Sequence, residues 1–184
     1  NIKSADQNLK FIQPIITGGH QERGMRSGTE NVPYIVGLGK AIELVEKLRV
    51  KESARVRKLR DYFWMKLQQI FPKARVNGFL EVGLPEIAHD FRLPNNLNIY
   101  FPGFPANELL IALDVACIAA SPGSACQAHV ANESYVIKAL GGQSDRASSS
   151  VRFTFGRATT KKDIDFILRA MKKIYCNSIN NRTS

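Results

Sequence analysis

Residues 149–174 read SSVRFTFGRATTKKDIDFILRAMKKI, a strand pattern followed directly by a helix pattern. In the first part, apolar and polar residues alternate with the period of two that is typical of a strand buried on one face. Val151, Phe153 and Phe155 lie on one side, with Ser150, Arg152 and Thr154 on the other. Thr160 and Asp163 then have the spacing of a helix-capping box, and apolar residues follow at helical intervals. This pattern predicts a strand and a capped helix, with Arg152 on the polar side of the strand.

Shorter patterns of the same two kinds precede this stretch. Leu97, Ile99 and Phe101 alternate with polar residues, which predicts a second half-buried strand. Weaker signals indicate short strands at 74–79 and 118–121 and short helices at 107–114 and 134–140. Helices and short strands alternate without a repeat period, so the sequence predicts an α/β or α+β fold.

A glycine-rich loop and a long helix form the first part of the chain. Residues 18–31 read GGHQERGMRSGTEN, and glycines at this density mark backbone with unusual dihedral angles or a close approach to a ligand. The backbone amides and the hydroxyls of Ser27 and Thr29 could hold a phosphate, although the stretch fits neither the dinucleotide fingerprint nor the P-loop. Asn31 is a good N-cap, and the apolar spacing after it predicts one long helix, or two with a break midway, over residues 32–70.

The charge balance permits anionic partners without choosing among them. The 26 Lys and Arg residues exceed the 16 Asp and Glu residues, giving a net charge of +10 and a pI near 9.7. The composition is that of a soluble globular chain, and no apolar run is long enough for a membrane span. A basic cluster on the long predicted helix has no interleaved aromatic residues, so we expect a solvated face, with an acidic partner as the alternative and no direct nucleic-acid contact. Its members are Arg49, Lys51, Arg55, Arg57, Lys58 and Arg60.

Three cysteines and three histidines are the residues most able to form a metal site. Cys117, Cys126 and Cys176 lack CxxC spacing, which disfavours a disulfide framework and suits a reducing compartment, cytosolic or organellar. Of these we expect the cytoplasm. The histidines are too scattered for a ligand cluster, so we expect no metal. Asn1 is neither a Met nor the start of a signal peptide, and we interpret the chain as a piece of a longer protein.

Cys126 and Arg152 are the candidates for chemistry, and each has a plain structural alternative. Cys126 lies in SPGSACQA, residues 121–128, where small residues give a thiol access and mobility. A free cysteine is also often just a small buried apolar group. Arg152 could bind a carboxylate through two parallel hydrogen bonds or pair with a surface acid.

Five segments, in this order, resemble the C-terminal part of the class I cysteine desulfurases, the NifS/IscS type in the aminotransferase class V family. They are GGHQERGMRSGTENVPYIVGLGKA (18–41), RLPNNLNIYFPG (92–103), SPGSAC (121–126), SYVIKALG (134–141) and SSVRFTFGRATT (149–160). The resemblance extends over residues 8–175. Several collinear and unusual motifs make it far more specific than any single one.

The resemblance implies an α/β architecture, the fold type I of transferases that depend on pyridoxal phosphate (PLP). Residues 1–31 would be the end of the large PLP-binding domain, with the glycine-rich loop at an interface. Residues 32–176 would be the connecting helix and the C-terminal small domain, and residues 177–184 a frayed tail.

The family converts L-cysteine to L-alanine and leaves the sulfur on an enzyme cysteine as a persulfide, for iron–sulfur cluster, thiolated tRNA or cofactor assembly. By resemblance, Cys126 is the sulfur acceptor and Arg152 binds the substrate carboxylate. Thr29 matches the residue that contacts the PLP phosphate of the other subunit in a homodimer. The implied partners are L-cysteine, a second subunit, and a sulfur acceptor or iron–sulfur scaffold protein.

The sequence also departs from the family pattern. The family's cofactor-binding lysine follows a histidine, and this chain has no His-Lys pair, so we expect the piece to be inactive alone. His20 replaces a usual glycine and would be strained if that position needs a positive φ. Two alternatives stay open: a selenocysteine lyase on the same fold, and a stand-alone sulfur-relay or binding module.

Overall fold

The computed structural model describes residues 13–78, 92–122, 134–140 and 144–183, with side chains up to residue 177. The chain divides into two compact units, Asn1–Leu48 and Arg49–Ser184, and the division lies within one long helix. None of the helices in the described ranges is apolar enough over its length to cross a membrane.

The first unit contains the glycine-rich loop and the first part of helix α1. The loop includes one 3-10 turn, Gln21–Gly24, and α1 is a single unbroken helix, Val32–Ile70. Asn31 caps α1 as predicted, because its Oδ1 accepts a hydrogen bond from the backbone N–H of Tyr34 at 3.4 Å. The apolar side chains on this part of α1 are exposed. Ile35, Leu38, Ile42 and Val45 each keep more than half of their surface accessible.

The second unit is an antiparallel sheet with helices packed on it. The strands are β1 (Arg75–Val76), β2 (Asn96–Tyr100), β3 (Ser121–Pro122) and β4 (Ser150–Thr154), in the spatial order β1-β2-β4-β3. The helices are α2 (Ala106–Val115), α3 (Tyr135–Ala139), α4 (Ser144–Ser148) and α5 (Lys161–Thr183). The mixture of helix and sheet is the one predicted.

Two helices differ from the expectation. Helix α4 was not predicted, because its sequence, SDRAS, contains no apolar period. Helix α5 continues to Thr183, past the start of the expected tail at residue 177, since its polar end contains no Pro or Gly to interrupt the backbone hydrogen bonds.

The core forms where one face of β2 and β4 meets the helices. Leu97 pairs with Phe153 and Ile99 with Val151 across the two strands, and all four are buried. Helix α1 adds an aromatic contact, with the Phe63 ring centroid 5.1 Å from that of Phe153. Leu67 of α1 is also buried, and the buried residues from α2 and α5 include Leu109, Leu113, Ile164, Leu168 and Met171. This packing orients the opposite face of β2 and β4, where Arg152 lies.

Arg60 contradicts the prediction that the basic cluster is a solvated face. Its side chain is fully buried, because its position on α1 coincides with the stripe that includes Val56 and Phe63. Its Nε donates to Asp61 Oδ1 at 2.9 Å and its Nη1 to the Leu93 carbonyl at 3.3 Å. These contacts offset part of the cost of removing the charge from water.

Arg55 also departs from that prediction. Its guanidinium forms an ion pair with Glu52 at 3.0 Å and donates to the carbonyl oxygens of Thr159, at 2.8 Å, and Arg157, at 2.9 Å. These bonds connect α1 to the loop before α5. Arg55 is therefore a structural residue, while Lys51 and Lys58 are exposed as expected.

Candidate active site

The glycine-rich loop has strained backbone geometry. Glu22 and Arg23 both lie in the left-handed region, with φ of 50° and 57°, which costs non-glycine residues about 1–2 kcal/mol each. Gly28 has a φ of 107°, where a side chain would be strained. His20, in contrast, has an ordinary φ of −89°, so the strain considered for it does not arise. Strain of this kind is found at ligand-binding loops.

Ser27 and Thr29 have different environments in this loop. Ser27 is buried, and its Oγ donates to the Gly19 carbonyl at 2.6 Å. Its hydroxyl proton is therefore used in a hydrogen bond within the loop. The Gly28 N–H also bonds within the loop, to Gln21 Oε1 at 3.2 Å. Thr29 is exposed, and its carbonyl accepts a hydrogen bond from Arg26 Nη1 at 3.3 Å. Of the two hydroxyls considered for a phosphate, Thr29 presents the accessible one.

Arg152 lies in the middle of β4 and lines a cavity. It is opposite Asn98 of β2 on one side and Ser121 of β3 on the other. The side chain is half-buried and lines a cavity of about 400 Å³, in the size range of small-molecule sites. The polar lining comes from Asn77, Arg92, Asn96, Asn98 and Arg152, and the apolar wall from Leu93, Val136, Ile137 and Leu140. The lining residues that the structure describes include two arginines and no carboxylate.

Asn77 connects the residues of this cavity, although no sequence pattern predicted that role. Its backbone N–H and side-chain Nδ2 donate to the O and Oδ1 of Asn98, at 2.8 Å and 2.7 Å. The same Nδ2 donates to Ser150 Oγ at 2.7 Å, and its Oδ1 accepts from Arg146 Nε at 2.5 Å. The side chain is buried and both its polar atoms are hydrogen-bonded, which fixes Asn98 beside Arg152. The only sequence signal was an Asn-Gly pair after a short strand.

Arg92 begins the second of the five motifs, and the structure places it in the same cavity. No sequence pattern indicated a role for its side chain. Its Nη1 donates to the Asn96 carbonyl at 3.4 Å, and its Nη2 makes a short hydrogen bond to the Asn77 carbonyl. Burial, and to a smaller extent the charge of Arg60, lowers the pKa of Arg92 below its ordinary value. An arginine nevertheless remains charged at neutral pH.

Cys126 and His129 lie in the segment 123–133, outside the described residues, and His89 lies in the segment 79–91, also outside them. The residues that flank the Cys126 segment are described. Ser121 of β3 pairs with Arg152, and Ile137 of α3 lines the same cavity as Arg152. The Cys126 segment therefore follows a strand that pairs with Arg152 and precedes a helix that lines the Arg152 cavity.

Among the residues that the structure describes, no group of three or more His, Cys, Asp or Glu side chains could hold a metal ion. Cys117 and Cys176 are exposed free thiols.

A model of the aminotransferase class-V family matches residues 6–167, which include Thr29, Cys126 and Arg152. The chain belongs to the aminotransferase class-V family. Members of this family that are similar to the chain are named cysteine desulfurases. IscS 1 of Archaeoglobus fulgidus is 39% identical over 160 residues, covering 87% of this chain and 39% of that protein. IscS of Anaeromyxobacter dehalogenans is 42% identical over 161 residues, covering 88% of this chain and 37% of that protein.

Solved structures from this family have a similar fold. A NifS-like protein matches with a TM-score of 0.70 and 28% identity, covering 88% of this chain and 38% of that chain. The NifS-like protein of Rickettsia africae matches with a TM-score of 0.70 and 30% identity, covering 89% and 40%. These likenesses confirm the predicted fold class. The chain spans about two fifths of the length of these proteins.

Proposed function

We propose that this chain is the C-terminal part of a PLP-dependent cysteine desulfurase. The full-length protein converts L-cysteine to L-alanine and leaves the sulfur as a persulfide on Cys126. The observation that carries this proposal is the cavity lined by Arg152, since β3, before the Cys126 segment, pairs with Arg152 and α3, after the segment, lines the cavity.

Arg152 binds the carboxylate of L-cysteine in this proposal. A guanidinium matches a carboxylate through two parallel charge-assisted hydrogen bonds. The half-buried position on β4 supports this role, because a partly desolvated guanidinium binds an anion more strongly than an exposed one.

Cys126 accepts the sulfur. Its thiolate attacks the sulfur of L-cysteine, a sulfur–sulfur bond forms, and the carbon–sulfur bond of the substrate breaks with its electron pair going to carbon. Protonation of that carbon gives L-alanine. Cys126 is five residues after Ser121, so the chain can extend at most about 18 Å from β3. A reach of this length allows the Cys126 thiol to contact the substrate in the cavity and then to contact a partner protein.

Thr29 contacts the phosphate of PLP bound in the other subunit of a homodimer. Its exposed hydroxyl, in a loop with left-handed backbone, fits a phosphate oxygen. When bound, PLP supplies the electron sink that allows the carbon–sulfur bond to break. No lysine in these 184 residues follows a histidine, so in this proposal the lysine that holds PLP lies elsewhere in the full-length protein.

The exposed apolar side chains of α1 support a longer protein. Val36 is 66% exposed and Leu38 is 62% exposed, and several neighbours on the same part of the helix are similar. Soluble proteins rarely leave such a patch uncovered. In the full-length protein, we expect residues beyond this chain to cover it.

The sulfur acceptor and the compartment follow from the same proposal. Persulfide sulfur passes from Cys126 to a second thiol or to an iron–sulfur scaffold protein. The free thiols Cys117 and Cys176 suit a reducing compartment such as the cytoplasm.

A stand-alone binding module is less well supported, because Arg55 of the basic cluster is bound within the fold.

The test is expression of the full-length protein that contains this chain, with PLP and L-cysteine. The wild type should release L-alanine and carry one added sulfur on Cys126 by mass spectrometry. Cys126→Ser should lose both signals, while Cys117→Ser, at an exposed thiol, should keep them. No L-alanine and no persulfide from the wild type would end the proposal, and turnover of selenocysteine alone would assign a lyase instead.

A further inference from the structure

We infer that an exposed patch on α5 is a docking surface for an acidic protein partner with an apolar pocket. This α5 patch consists of Phe166, Arg169, Lys172 and Lys173, whose side chains are all exposed. It contains none of the substrate-binding, cofactor-binding or sulfur-accepting residues of the proposed function. The inference is therefore independent of that function.

The α5 patch lies where α5 runs beside α1. The Tyr62 hydroxyl donates to Asp165 Oδ1 at 2.7 Å, and the ring centroid of Phe71, directly after α1, lies 4.6 Å from that of Tyr175 in α5. These two contacts show that the helices run in the same direction. Beyond Tyr62 in α1 and beyond Asp165 in α5, neither helix contains an Asp or a Glu. This end of the helix pair therefore presents cations and no carboxylate of its own.

Among the residues that the structure describes, no carboxylate forms an ion pair with the three cations of the α5 patch. The acid that precedes them in α5, Asp165, already accepts hydrogen bonds from the Tyr62 hydroxyl at 2.7 Å and from Lys161 at 3.1 Å. The pKa of Asp165 is lowered most by Tyr62, next by Lys161 and least by the charge of Arg169. Asp165 is thus engaged with other groups, and the cations face solvent.

The spacing of these cations is unfavourable for an isolated helix. Lys172 and Lys173 follow Arg169 by three and four residues, the spacings at which like charges on a helix repel each other. The helix macrodipole does not account for the cluster, because its effect is confined to the last turn and α5 continues to Thr183. A complementary acidic surface replaces this repulsion with attraction.

Phe166 favours a protein over other anionic partners. Its side chain is 47% exposed and lies one turn before Arg169, and aromatic residues and arginine are enriched at protein interfaces. A lipid surface is disfavoured, because Ile164, Leu168 and Met171 are buried in the core and one ring remains to insert. A nucleic acid is disfavoured, since three cations contact few phosphates. The small size of the α5 patch suits a transient complex.

The first measurement is fluorescence anisotropy with the full-length protein that contains this chain. The probe is a fluorescein-labelled helical peptide in which glutamates flank a row of leucines. The Arg169→Gln/Lys172→Gln/Lys173→Gln variant should weaken peptide binding about tenfold, because three exposed ion pairs are lost and each contributes little. Added salt should also weaken wild-type binding, since the charges on both surfaces are exposed.

A second triple variant is the matched control. Lys51→Gln/Lys58→Gln/Arg157→Gln also removes two lysines and one arginine, all of them exposed. These residues lie at the opposite end of the helix pair, where Arg55 donates to the Arg157 carbonyl at 2.9 Å. Peptide binding by this control should stay within about twofold of the wild type, because exposed charges away from the contact act weakly through salt solution.

Phe166 is tested with a second peptide, in which serines replace the leucines and the charge is unchanged. Phe166→Ala should weaken binding of the leucine peptide about tenfold, the effect expected for an aromatic residue at the centre of an interface. The same substitution should leave binding of the serine peptide within about twofold, since that peptide has no apolar row to contact the ring. Equal losses for both peptides would show that Phe166 is not an apolar contact and would contradict the assigned partner.

The remaining outcomes also decide the inference. Equal losses in the two triple variants would mean that net charge alone attracts the peptide, and no binding of the leucine peptide to the wild type would equally overturn the inference. If an RNA oligonucleotide of the same charge binds more tightly than the peptide and loses binding in the α5 variant, the partner is a nucleic acid instead. All α5 variants should retain L-cysteine turnover, so a failure of the proposed function leaves the binding result unaffected.

Discussion

Asn98 and Arg152 lie directly opposite each other on β2 and β4, and Asn77 holds Asn98 in place through two hydrogen bonds. Residues opposite each other on neighbouring strands project from the same face of a sheet. The apolar residues of these strands occupy the other face. The register that builds the core therefore also places the candidate carboxylate site.

Arg152 is tested by a change that keeps its charge. Arg152→Lys removes the planar fork that matches a carboxylate. We expect KM of the full-length, PLP-loaded protein for L-cysteine to rise about tenfold or more, because at least one charge-assisted hydrogen bond is lost. Steady-state kinetics measure this change. Arg157→Lys, at an exposed arginine in the following loop, should leave KM unaltered.

Cys117 offers a stabilising substitution. It follows the C-terminus of α2 with a φ of 56°, and the N–H of Ile118 donates to the Leu113 carbonyl at 2.9 Å, the pattern of a helix that ends in a left-handed residue. Glycine adopts this φ without strain, so Cys117→Gly should raise the free energy of unfolding by about 1 kcal/mol. Urea denaturation measures it. Cys117→Ala keeps the Cβ, and an equal gain in that variant would contradict a role for backbone strain.

Arg60 and Asp61 should respond unequally to substitution. Arg60 is fully buried, whereas the Asp61 side chain is 39% exposed. Asp61→Asn leaves a buried charge without its compensating carboxylate and should cost about 3 kcal/mol of folding free energy. Arg60→Met removes that charge and leaves Asp61 with access to water, so it should cost less than about 1 kcal/mol. Denaturation of both variants tests this, and equal losses would refute it.

The capping box of α5 should make stability depend on pH. The Thr160 hydroxyl, and then the Thr160 backbone N–H, lower the pKa of Asp163 below its ordinary 3.8. The folded pKa is below the unfolded value, so the contribution to stability is present above pH 3.8 and is lost as the pH falls through the folded pKa.

Urea midpoints measured from neutral pH down to about pH 2 check the Asp163 prediction. The difference between the wild type and Asp163→Asn should be largest at neutral pH and should shrink in acid. Thr160→Val removes the hydroxyl that lowers the pKa of Asp163 most, and it should reduce this pH dependence. If the difference in urea midpoint between the wild type and Asp163→Asn stays constant down to the lowest pH, the Asp163 carboxylate is not responsible for the stabilisation.

The prediction of the core depended on local periodicity. The alternation at Leu97–Phe101 and Val151–Phe155 was enough to predict two strands buried on one face, since a helix with one apolar face repeats every 3.6 residues and does not produce a period of two. The caps at Asn31 and Thr160 were also predictable from neighbouring residues, because capping needs a specific side chain at a specific distance along the chain.

The errors came from residues whose environment depends on distant contacts. Arg60 was expected in solvent from its charge, yet its place on the helix puts it among apolar neighbours, with Asp61 and the Leu93 carbonyl as compensation. Helix α4 has no apolar period, and its buried Ala147 packs only because of the surrounding fold. Charge and periodicity do not contain this information.

The family, the two central strands and the polar placement of Arg152 could be predicted from local patterns, because motifs and periodicity are properties of neighbouring residues. The arrangement of Asn77, Arg92 and Asn98 around Arg152 in one cavity depends on tertiary contacts. These residues come from separate parts of the chain, and strand pairing with hydrogen bonds across the sheet is what brings them together. Such long-range pairing depends on the register of the whole sheet, which no local pattern specifies.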